Sequence, residues 1–256
     1  MTPENENRFD DFYANEQYIS LKNHLCNYLL RKCAVEKAMQ DEKKELVLEI
    51  GSGISPVLTS WERIVYSDLS ASALDMLKKM HGKGQYVVAD AMNLPFEADS
   101  FSHVISSEVL EHLEDDRKSL KEIARVTKPN GVLIVTFPHR HLYFAHDDRF
   151  VHHYRRYELS EMISRLEEVG FHPVDVRKVL GPLEKLTMLF VTVCASALQN
   201  LNSKRRIKTQ AKPQKVLISL FKGLNRFYAG LAWIDARIMP RALSTVLLIK
   251  AKKRIP

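Results

Sequence analysis

Short apolar runs rich in β-branched residues alternate with helical patterns from residue 46 onward, and this alternation constrains the fold more than any other feature. The strand candidates read LVLEI, RIVYSD, QYVVAD, SHVISSE and GVLIVTF. Between them, residues 72–80 and 116–126 place apolar side chains at helical spacing. Strands that are apolar on both faces and are joined by helices form a parallel sheet covered on both sides. The sequence therefore predicts an α/β fold with a doubly wound, mostly parallel sheet, whose ligand binds at the carboxyl ends of the strands.

The segments on either side of this core extend the prediction. Residues 15–40 predict one or two amphipathic helices. Their apolar side carries Tyr18, Leu21, Leu25, Leu29 and Leu30. After the core, ELSEMISRLEEVGF predicts a helix that ends at Gly170, and HPVDVRKVL and STVLLIKAKK predict two further strands.

The charge of the chain is divided unevenly. Residues 1–177 carry a net charge of −7, whereas residues 178–256 hold 16 basic and only 2 acidic residues, a net charge of +14. Two regions of opposite charge predict two separate tasks.

Acidic residues stand at the ends of three predicted strands. Glu49 precedes the loop glycines Gly51 and Gly53, Asp68 ends the second strand and Asp90 ends the third. Asp68 can accept hydrogen bonds from both hydroxyls of a ribose, and Asp90 from an adenine amino group. A carboxylate beside the loop repels a pyrophosphate but attracts an ammonium or a sulfonium, which argues against a nicotinamide oxidoreductase. The pattern predicts an adenosine-containing ligand that is not a nucleotide.

Five motifs occur in an order that resembles a known family. They read EIGSG, YSDLS, ADAMNLPFEADSFSHVISSEVLEHL, VTKPNGVLIVTFPH and YRRYELSEMISRLEEVGF. Together they resemble S-adenosylmethionine-dependent methyltransferases with the seven-stranded Rossmann-like fold, and within them the type 11 group, which is similar to quinone-biosynthesis methyltransferases. The resemblance implies that the last strand is antiparallel and lies between the fifth and sixth strands.

The resemblance also implies which residues bind S-adenosylmethionine. Glu49, Gly51 and Gly53 would surround its methionine part. Asp68 and Leu69 would hold the ribose and flank the adenine, Asp90 and Ala91 would meet the adenine edge, and Ser106 to Glu108 would line the floor near the methyl group.

The sequence departs from the family pattern in the loop after the first strand. Ser55 replaces the third glycine, and the segment from Gly51 to Asp68 is shorter than usual. We expect Ser55 to cap, and Pro56 to open, the helix that follows.

Five of the ten histidines lie in PHRHLYFAHDDRFVHHYRRY, which follows the fifth strand and should cover the acceptor pocket. A neutral imidazole there can act as a general base, and the candidates are His139, His152 and His153, with His112 nearer the cofactor. A metal site with Asp147 and Asp148 and a plain polar lid are the alternatives, and we predict no metal.

The residues after these histidines are candidates for binding the acceptor. Arg155, Arg156 and Tyr157 are predicted to contact it, because a guanidinium can grip a phosphate or a carboxylate. A surface ion pair of the arginines with Glu158 or Glu161 is the alternative.

The basic segment before the last strand is predicted to form helices. LTMLFVTVCASALQNLNS is too short and too polar for a membrane span, and it is followed by KRRIKTQAKPQK and an aromatic, basic stretch. This composition suits peripheral membrane contact through residues 183–238, with a helical hairpin or dimer contact as the alternative and nucleic acid less favoured. The predicted domains are a helical cap over 1–40, the cofactor-binding core over 41–180, the basic helical insertion over 181–241 and the final strand over 242–256.

The sequence as a whole predicts a methyltransferase. It would transfer a methyl group to an oxygen or carbon atom of a small-molecule, lipid, quinone or lipid-linked glycan acceptor at a membrane surface. An RNA methyltransferase and a non-catalytic cofactor-binding subunit are the alternatives. The first dozen residues lack a signal-peptide pattern and the three cysteines lack metal-ligand spacing, so we expect a cytoplasmic protein that can lie on the inner face of the membrane.

Overall fold

The protein forms a seven-stranded sheet with the strand order β3-β2-β1-β4-β5-β7-β6. The computed structural model describes residues 23–43, 45–205 and 215–255, with the side chains of residues 194–220 left out of that description. The strands are β1 (Val47–Ile50), β2 (Ile64–Asp68), β3 (Gln85–Val88), β4 (Phe101–Ser107), β5 (Thr127–Pro138), β6 (Phe171–Leu180) and β7 (Val246–Lys253). The first five strands pair in parallel, and β7 is antiparallel to both β5 and β6. The expected position of the last strand, between the fifth and the sixth, is confirmed.

Helices connect and cover the strands. They are α1 (Cys26–Met39), α2 (Ala71–His81), α3 (Asp116–Val126), α4 (His146–Phe150), α5 (Leu159–Glu168), α6 (Pro182–Arg205) and α7 (Lys215–Ile238). Capping residues in the sequence determine where α2 and α3 begin and where α2 ends. The Ser70 hydroxyl caps the start of α2 by accepting from the Ala73 amide, and Gly82 ends that helix in the left-handed conformation. Asp115 caps α3 in the same way, through the Lys118 amide.

Alternate side chains of the central strands point into two separate hydrophobic cores, one on each face of the sheet. Leu48 and Leu133 belong to the core that α3 and α5 cover. Val47 and Ile134 belong to the core that α1, α2 and α7 cover. This division confirms a sheet with helices packed on both faces.

Residues 51–63, between β1 and β2, form an irregular loop, so the prediction that Pro56 opens a helix is wrong. The physical reason lies in Glu49, whose carboxylate accepts hydrogen bonds from the Val57 and Leu58 amides at 2.7 and 3.1 Å. These amides thereby find an acceptor outside a helix. The short segment between Gly51 and Asp68 therefore connects β1 to β2 without the expected helix.

Helix α1 is the part of the predicted N-terminal helices that the structure describes. Tyr18 and Leu21 lie outside the described residues. Leu30 is buried and Leu29 packs at the edge of the core. The helix contacts α7 and β6.

Helices α6 and α7 lie between β6 and β7, where the sequence predicts the insertion. Residues 206–214, which hold much of the basic run, lie outside the described part of the chain. Over the residues that are described, no helix has both the length and the apolar character that a membrane crossing requires. Helix α6 packs against α4, and α7 packs against α1 and β6.

Candidate functional site

Glu49 lies at the base of the loop that follows β1, with only 2% of its surface exposed. Burial raises the pKa of its carboxyl to about 7, although the amides of Val57 and Leu58 and the charges of Lys32 and Arg31 favour the ionised form. Because it accepts hydrogen bonds from these two amides, the Glu49 carboxylate holds the loop in its observed path. Its predicted contact with the cofactor stays a prediction.

Gly51 and Gly53 give this loop its backbone path. Both have positive φ, +66° and +51°, a region that side chains disfavour. A Cβ atom on Gly51 would lie 2.5 Å from Cγ2 of Val109, so the loop also passes very close to the segment after β4. The Gly53 amide donates to Asp68 Oδ2 at 2.7 Å, which joins the ends of β1 and β2.

The predicted adenosine-binding residues lie at the same edge of the sheet. Parallel register pairs Asp68 with Val88, which brings the ends of β2 and β3 together. Asp68 also accepts from the Ser70 amide, and Asp90 accepts from the Met92 amide at 2.8 Å. Leu69 is 37% exposed and Ala91 is partly buried. The structure thus places these four residues at neighbouring strand ends, and their contacts with the cofactor stay predictions.

The end of β4 forms the floor of this region. Ser106 pairs in register with Ile50, so it lies beside the start of the glycine loop. Glu108 has a φ of +55° and its amide donates to the Thr136 carbonyl, which turns the chain away from the sheet.

Two of the four predicted catalytic histidines have their rings in contact. His112 and His153 meet edge to face, with their ring centroids 4.7 Å apart. His139 lies apart from them, buried, with Nδ1 2.9 Å from the Ser244 carbonyl oxygen, and burial lowers its pKa. His152 is exposed and has a φ of +62°. The structure therefore brings together the rings of His112 and His153, and the His152 backbone also hydrogen-bonds the His112 side chain.

Glu111 completes the group around His112 and His153, and no functional role was predicted for it from the sequence. It is fully buried, and neither of its carboxylate oxygens has a hydrogen-bond partner within the described residues. Its Oε1 lies 3.9 Å from Nε2 of His153. Burial and the neighbouring charge of Glu108 raise the pKa of Glu111 well above its usual value. Burial and the charge of His153 lower the pKa of His112 to about 3.

Asp147 and Asp148, the acids of the alternative metal site, are already paired with protein cations. Lys185 of α6 binds both oxygens of Asp147 at 2.7 Å and Oδ2 of Asp148 at 2.6 Å. Asp148 also accepts from Arg156 Nε at 2.8 Å and lies 3.0 Å from Nδ1 of His153. Burial opposes ionisation of Asp148, but these partners outweigh burial and hold its pKa below its usual range. The two acids therefore connect α4 to α6.

Two of the three predicted acceptor contacts serve the interior of the protein. The Tyr157 ring is fully buried and its hydroxyl donates to Asp116 at 2.7 Å. Arg156 is buried, and its Nε donates to Asp148 Oδ1 at 2.8 Å. The prediction for these two residues is corrected, because their polar groups already have protein partners. Arg155, which is half-buried and binds the Glu114 carbonyl oxygen, stays a candidate.

Part of the chain is similar to known methyltransferases. Residues 48–135 match the family model described as a methyltransferase domain. A demethylmenaquinone methyltransferase from Streptomyces griseus is 28% identical over 131 residues, which cover 50% of this chain and 57% of that protein. The chloroplastic tocopherol O-methyltransferase of Arabidopsis thaliana is 34% identical over 44% of this chain and 36% of that protein. These similarities support an S-adenosylmethionine-dependent methyltransferase with a Rossmann-like fold.

Solved structures agree with this fold. A chain of the complex between the Haloferax volcanii Trm112 methyltransferase activator and a methyltransferase superposes with a TM-score of 0.65 and 16% identity, over 97% of this chain and 98% of that one. Phosphoethanolamine N-methyltransferase 2 of Haemonchus contortus, solved with S-adenosylmethionine, has a TM-score of 0.56 and 18% identity, over 88% of this chain and 52% of that one. The chain spans little more than half, or less, of the length of the two curated relatives.

The methyltransferase cofactor is S-adenosylmethionine, and the strand ends fit it. Within the described residues, the buried hydroxyls of Ser52, Ser55 and Ser106 and Oε1 of Glu108 have no hydrogen-bond partner. Buried polar atoms without partners are rare, and a group at a ligand-binding edge indicates atoms that a ligand would satisfy. Ser52 lies in the EIGSG motif but was assigned no role from the sequence, and Ser55 was predicted only as a helix cap.

Proposed function

We propose that this methyltransferase transfers the methyl group to an oxygen or carbon atom of a lipid-phase acceptor, such as a quinone, a lipid, a lipid-linked glycan or a related small molecule, at a membrane surface. The proposed contact with a membrane rests on the exposed apolar face of α6 and α7. The named relatives that act on demethylmenaquinone and tocopherol support an acceptor of this kind.

The two helices expose apolar side chains at helical spacing. On α6 these are Leu186, Phe190 and Val193, and on α7 they are Leu224, Phe227, Leu231, Ile234 and Ile238. Phe190 and Phe227 are each 70% exposed. Soluble proteins seldom expose rows of large apolar residues without a binding purpose. A bilayer interface would cover such rows.

The charges around these rows favour an anionic surface. Lys222, Arg226 and Arg237 are exposed on α7. The two acidic residues of residues 178–256 do not compete with anionic lipids for these basic side chains. Glu184 is buried, and Asp235 accepts a hydrogen bond from the Leu183 amide, at the start of α6, at 3.0 Å. Basic residues near anionic lipids contribute about 1 kcal/mol each. We therefore assign this face to contact with an anionic membrane.

The site residues supply positioning and a base. S-adenosylmethionine, when bound, supplies a methyl group on a positively charged sulfur. Asp68 and Asp90 would orient the adenosine, and the carboxylate of Glu108 would favour the positive charge near the floor. The base that takes the proton of an acceptor hydroxyl stays predicted among the histidines that follow β5.

Incubation with radiolabelled cofactor and a total membrane lipid extract tests the reaction. We expect a labelled, lipid-soluble product whose mass identifies the acceptor. The Asp68→Ala variant should lose the product and should bind cofactor at least about tenfold more weakly by calorimetry, because a ribose would lose a charged acceptor.

Asp75→Ala is the matched control, since Asp75 is an exposed acid on the neighbouring helix α2. Equal cofactor binding by both variants would contradict the assignment of Asp68. Label in the nucleic acid fraction instead of the lipid fraction would favour an RNA methyltransferase.

Vesicle flotation tests the membrane part separately. We expect the protein to float with vesicles of phosphatidylcholine and phosphatidylglycerol. The double variant Phe190→Ser with Phe227→Ser should bind at least about tenfold more weakly, because each buried ring contributes about 1.5–3 kcal/mol.

The control is Met80→Ser with Val174→Ser, which removes two exposed apolar side chains from α2 and β6. Equal recovery of both double variants would contradict docking through α6 and α7.

A further inference from the structure

We propose that Glu111, His112 and His153 bind one divalent transition-metal ion, with Zn²⁺ as the best-matched ion. This site goes beyond the proposed methyl transfer and does not depend on it. Each residue offers one ligand atom, and these atoms all lie within 4.8 Å of one another. Two imidazole nitrogens and one carboxylate oxygen form a ligand set that Zn²⁺ and its neighbours in the first transition series accept readily.

Glu111 provides the observation that points to a ligand. It sits in the short 3₁₀ helix Leu110–His112 directly after β4, where it is fully buried. Both of its carboxylate oxygens lack a hydrogen-bond partner within the described residues. A buried carboxylate without partners is costly unless a cation or a hydrogen-bond donor meets it. Because Oε1 lies 3.9 Å from His153 Nε2, one of the two orphaned oxygens faces that imidazole.

His153 is held in the orientation that metal-binding histidines need. Its Nδ1 lies 3.0 Å from Asp148 Oδ1, so Nδ1 carries the proton and Nε2 presents its lone pair toward Glu111. A carboxylate that fixes a histidine through the nitrogen away from the metal is a recurring feature of metal sites. Asp148 is itself held by Arg156 and Lys185, so this orientation is rigidly supported.

The backbone holds the two halves of the site together. Glu111 and His112 come from the segment after β4, and His153 comes from the turn after α4. The Tyr154 amide donates to the Glu111 carbonyl at 2.8 Å, which ties the two segments side by side. The ligands of a tetrahedral ion with bonds of about 2.0–2.2 Å lie ~3.3 Å apart, so small side-chain rotations would close the site. Three protein ligands leave one position open to water or another small oxygen ligand.

Arg31, Glu108 and Arg156 also act electrostatically on Glu111. The two arginines oppose a cation, and Glu108 favours it. The geometry, in which both Glu111 oxygens are turned away from hydrogen-bonding contact with either arginine, points to a metal rather than to an internal ion pair.

Metal binding by the full chain tests the proposal directly. The protein is treated with chelator, dialysed, and titrated with Zn²⁺ by calorimetry and with Co²⁺ by visible absorption. The exposed Cys33 thiol is replaced in every sample, as Cys33→Ser, so that it cannot bind the ion. We expect one tight equivalent per chain and Co²⁺ bands typical of a nitrogen and oxygen ligand field.

Ligand variants decide the outcome. Glu111→Gln, His112→Ala and His153→Ala should each lower the affinity at least about 100-fold, since removal of a residue that merely orients a ligand already costs ~10–100-fold. His152→Ala is the matched control, because it removes the adjacent, exposed imidazole. Circular dichroism and cofactor binding on the same samples check folding, and the three separate ligand variants guard against one that fails to fold.

No uptake by the Cys33→Ser chain with all three ligand residues intact, or the same loss in His152→Ala as in His153→Ala, overturns the metal site. If cofactor binding persists in that case, the metal site alone fails and the methyltransferase assignment stands.

Discussion

Glu49 differs from the other acids at the strand ends because its carboxylate binds the backbone of its own loop. Val57 and Leu58 donate to its two oxygens, in the position where a helix would otherwise organise these amides. The family resemblance predicts a cofactor contact for Glu49, but its partners eight and nine residues away follow no sequence pattern. The same holds for Glu111, whose burial depends on a segment about 40 residues later in the chain.

The stability contributed by Glu49 should depend on pH. Its pKa is raised from 4.5 to about 7 in the folded protein, so protonation favours the folded state. The stability that the protonated carboxyl contributes is fully present below pH 4.5 and is lost as the pH rises through about 7. The free energy of unfolding of the wild type, minus that of Glu49→Gln, should therefore fall between about pH 5 and about pH 8.

Urea denaturation across that pH range measures the difference, and the exposed Glu62→Gln variant serves as the control. A difference for Glu49→Gln that stays constant with pH would show that the carboxyl titrates normally in the folded protein.

At the scale of elements, the contact between α4 and α6 rests on a buried ion cluster. Lys185, on α6, is 6% exposed and binds Asp147 and Asp148, which open α4. Helix α4 belongs to the segment that carries His153, and α6 belongs to the face that we assign to the membrane. Separations of 37 and 38 residues leave no periodic signal, so from the sequence these acids were considered only as part of an alternative metal site.

Lys185→Met should be strongly destabilising. Removal of one partner leaves two buried carboxylates without their shared cation, which costs about 3–5 kcal/mol in comparable buried pairs. The Arg117–Glu168 pair offers a matched contrast, because its 2.6 Å contact is as short but its side chains are 59% and 46% exposed. Arg117→Met should cost less than about 1 kcal/mol.

Chemical denaturation of both variants measures the two costs. Similar losses of unfolding free energy for the two substitutions would mean that burial does not strengthen the interactions of Lys185.

At the scale of the whole molecule, the predictions succeeded where the signal was local. The five core strands and helices α2, α3 and α5 appear within a few residues of their expected positions, since β-branched runs and helical spacing are properties of contiguous sequence. The place of β7 came from the family resemblance alone. The absence of a helix after β1 was not predicted, because Ser55 and Pro56 are good helix-start residues. The acceptor that competes with the helix, Glu49, acts through a tertiary contact.

The position of β7 also has a consequence for how the chain can fold. Strand β6 pairs only with β7 among the described strands, and β7 pairs with β5 through partners such as Val132 and Lys252. During synthesis, β5 must therefore wait for more than 100 further residues before its second neighbour exists. Such non-local pairing slows folding and leaves apolar strand edges open in the meantime. We expect the nascent chain to depend on chaperones until β7 has left the ribosome.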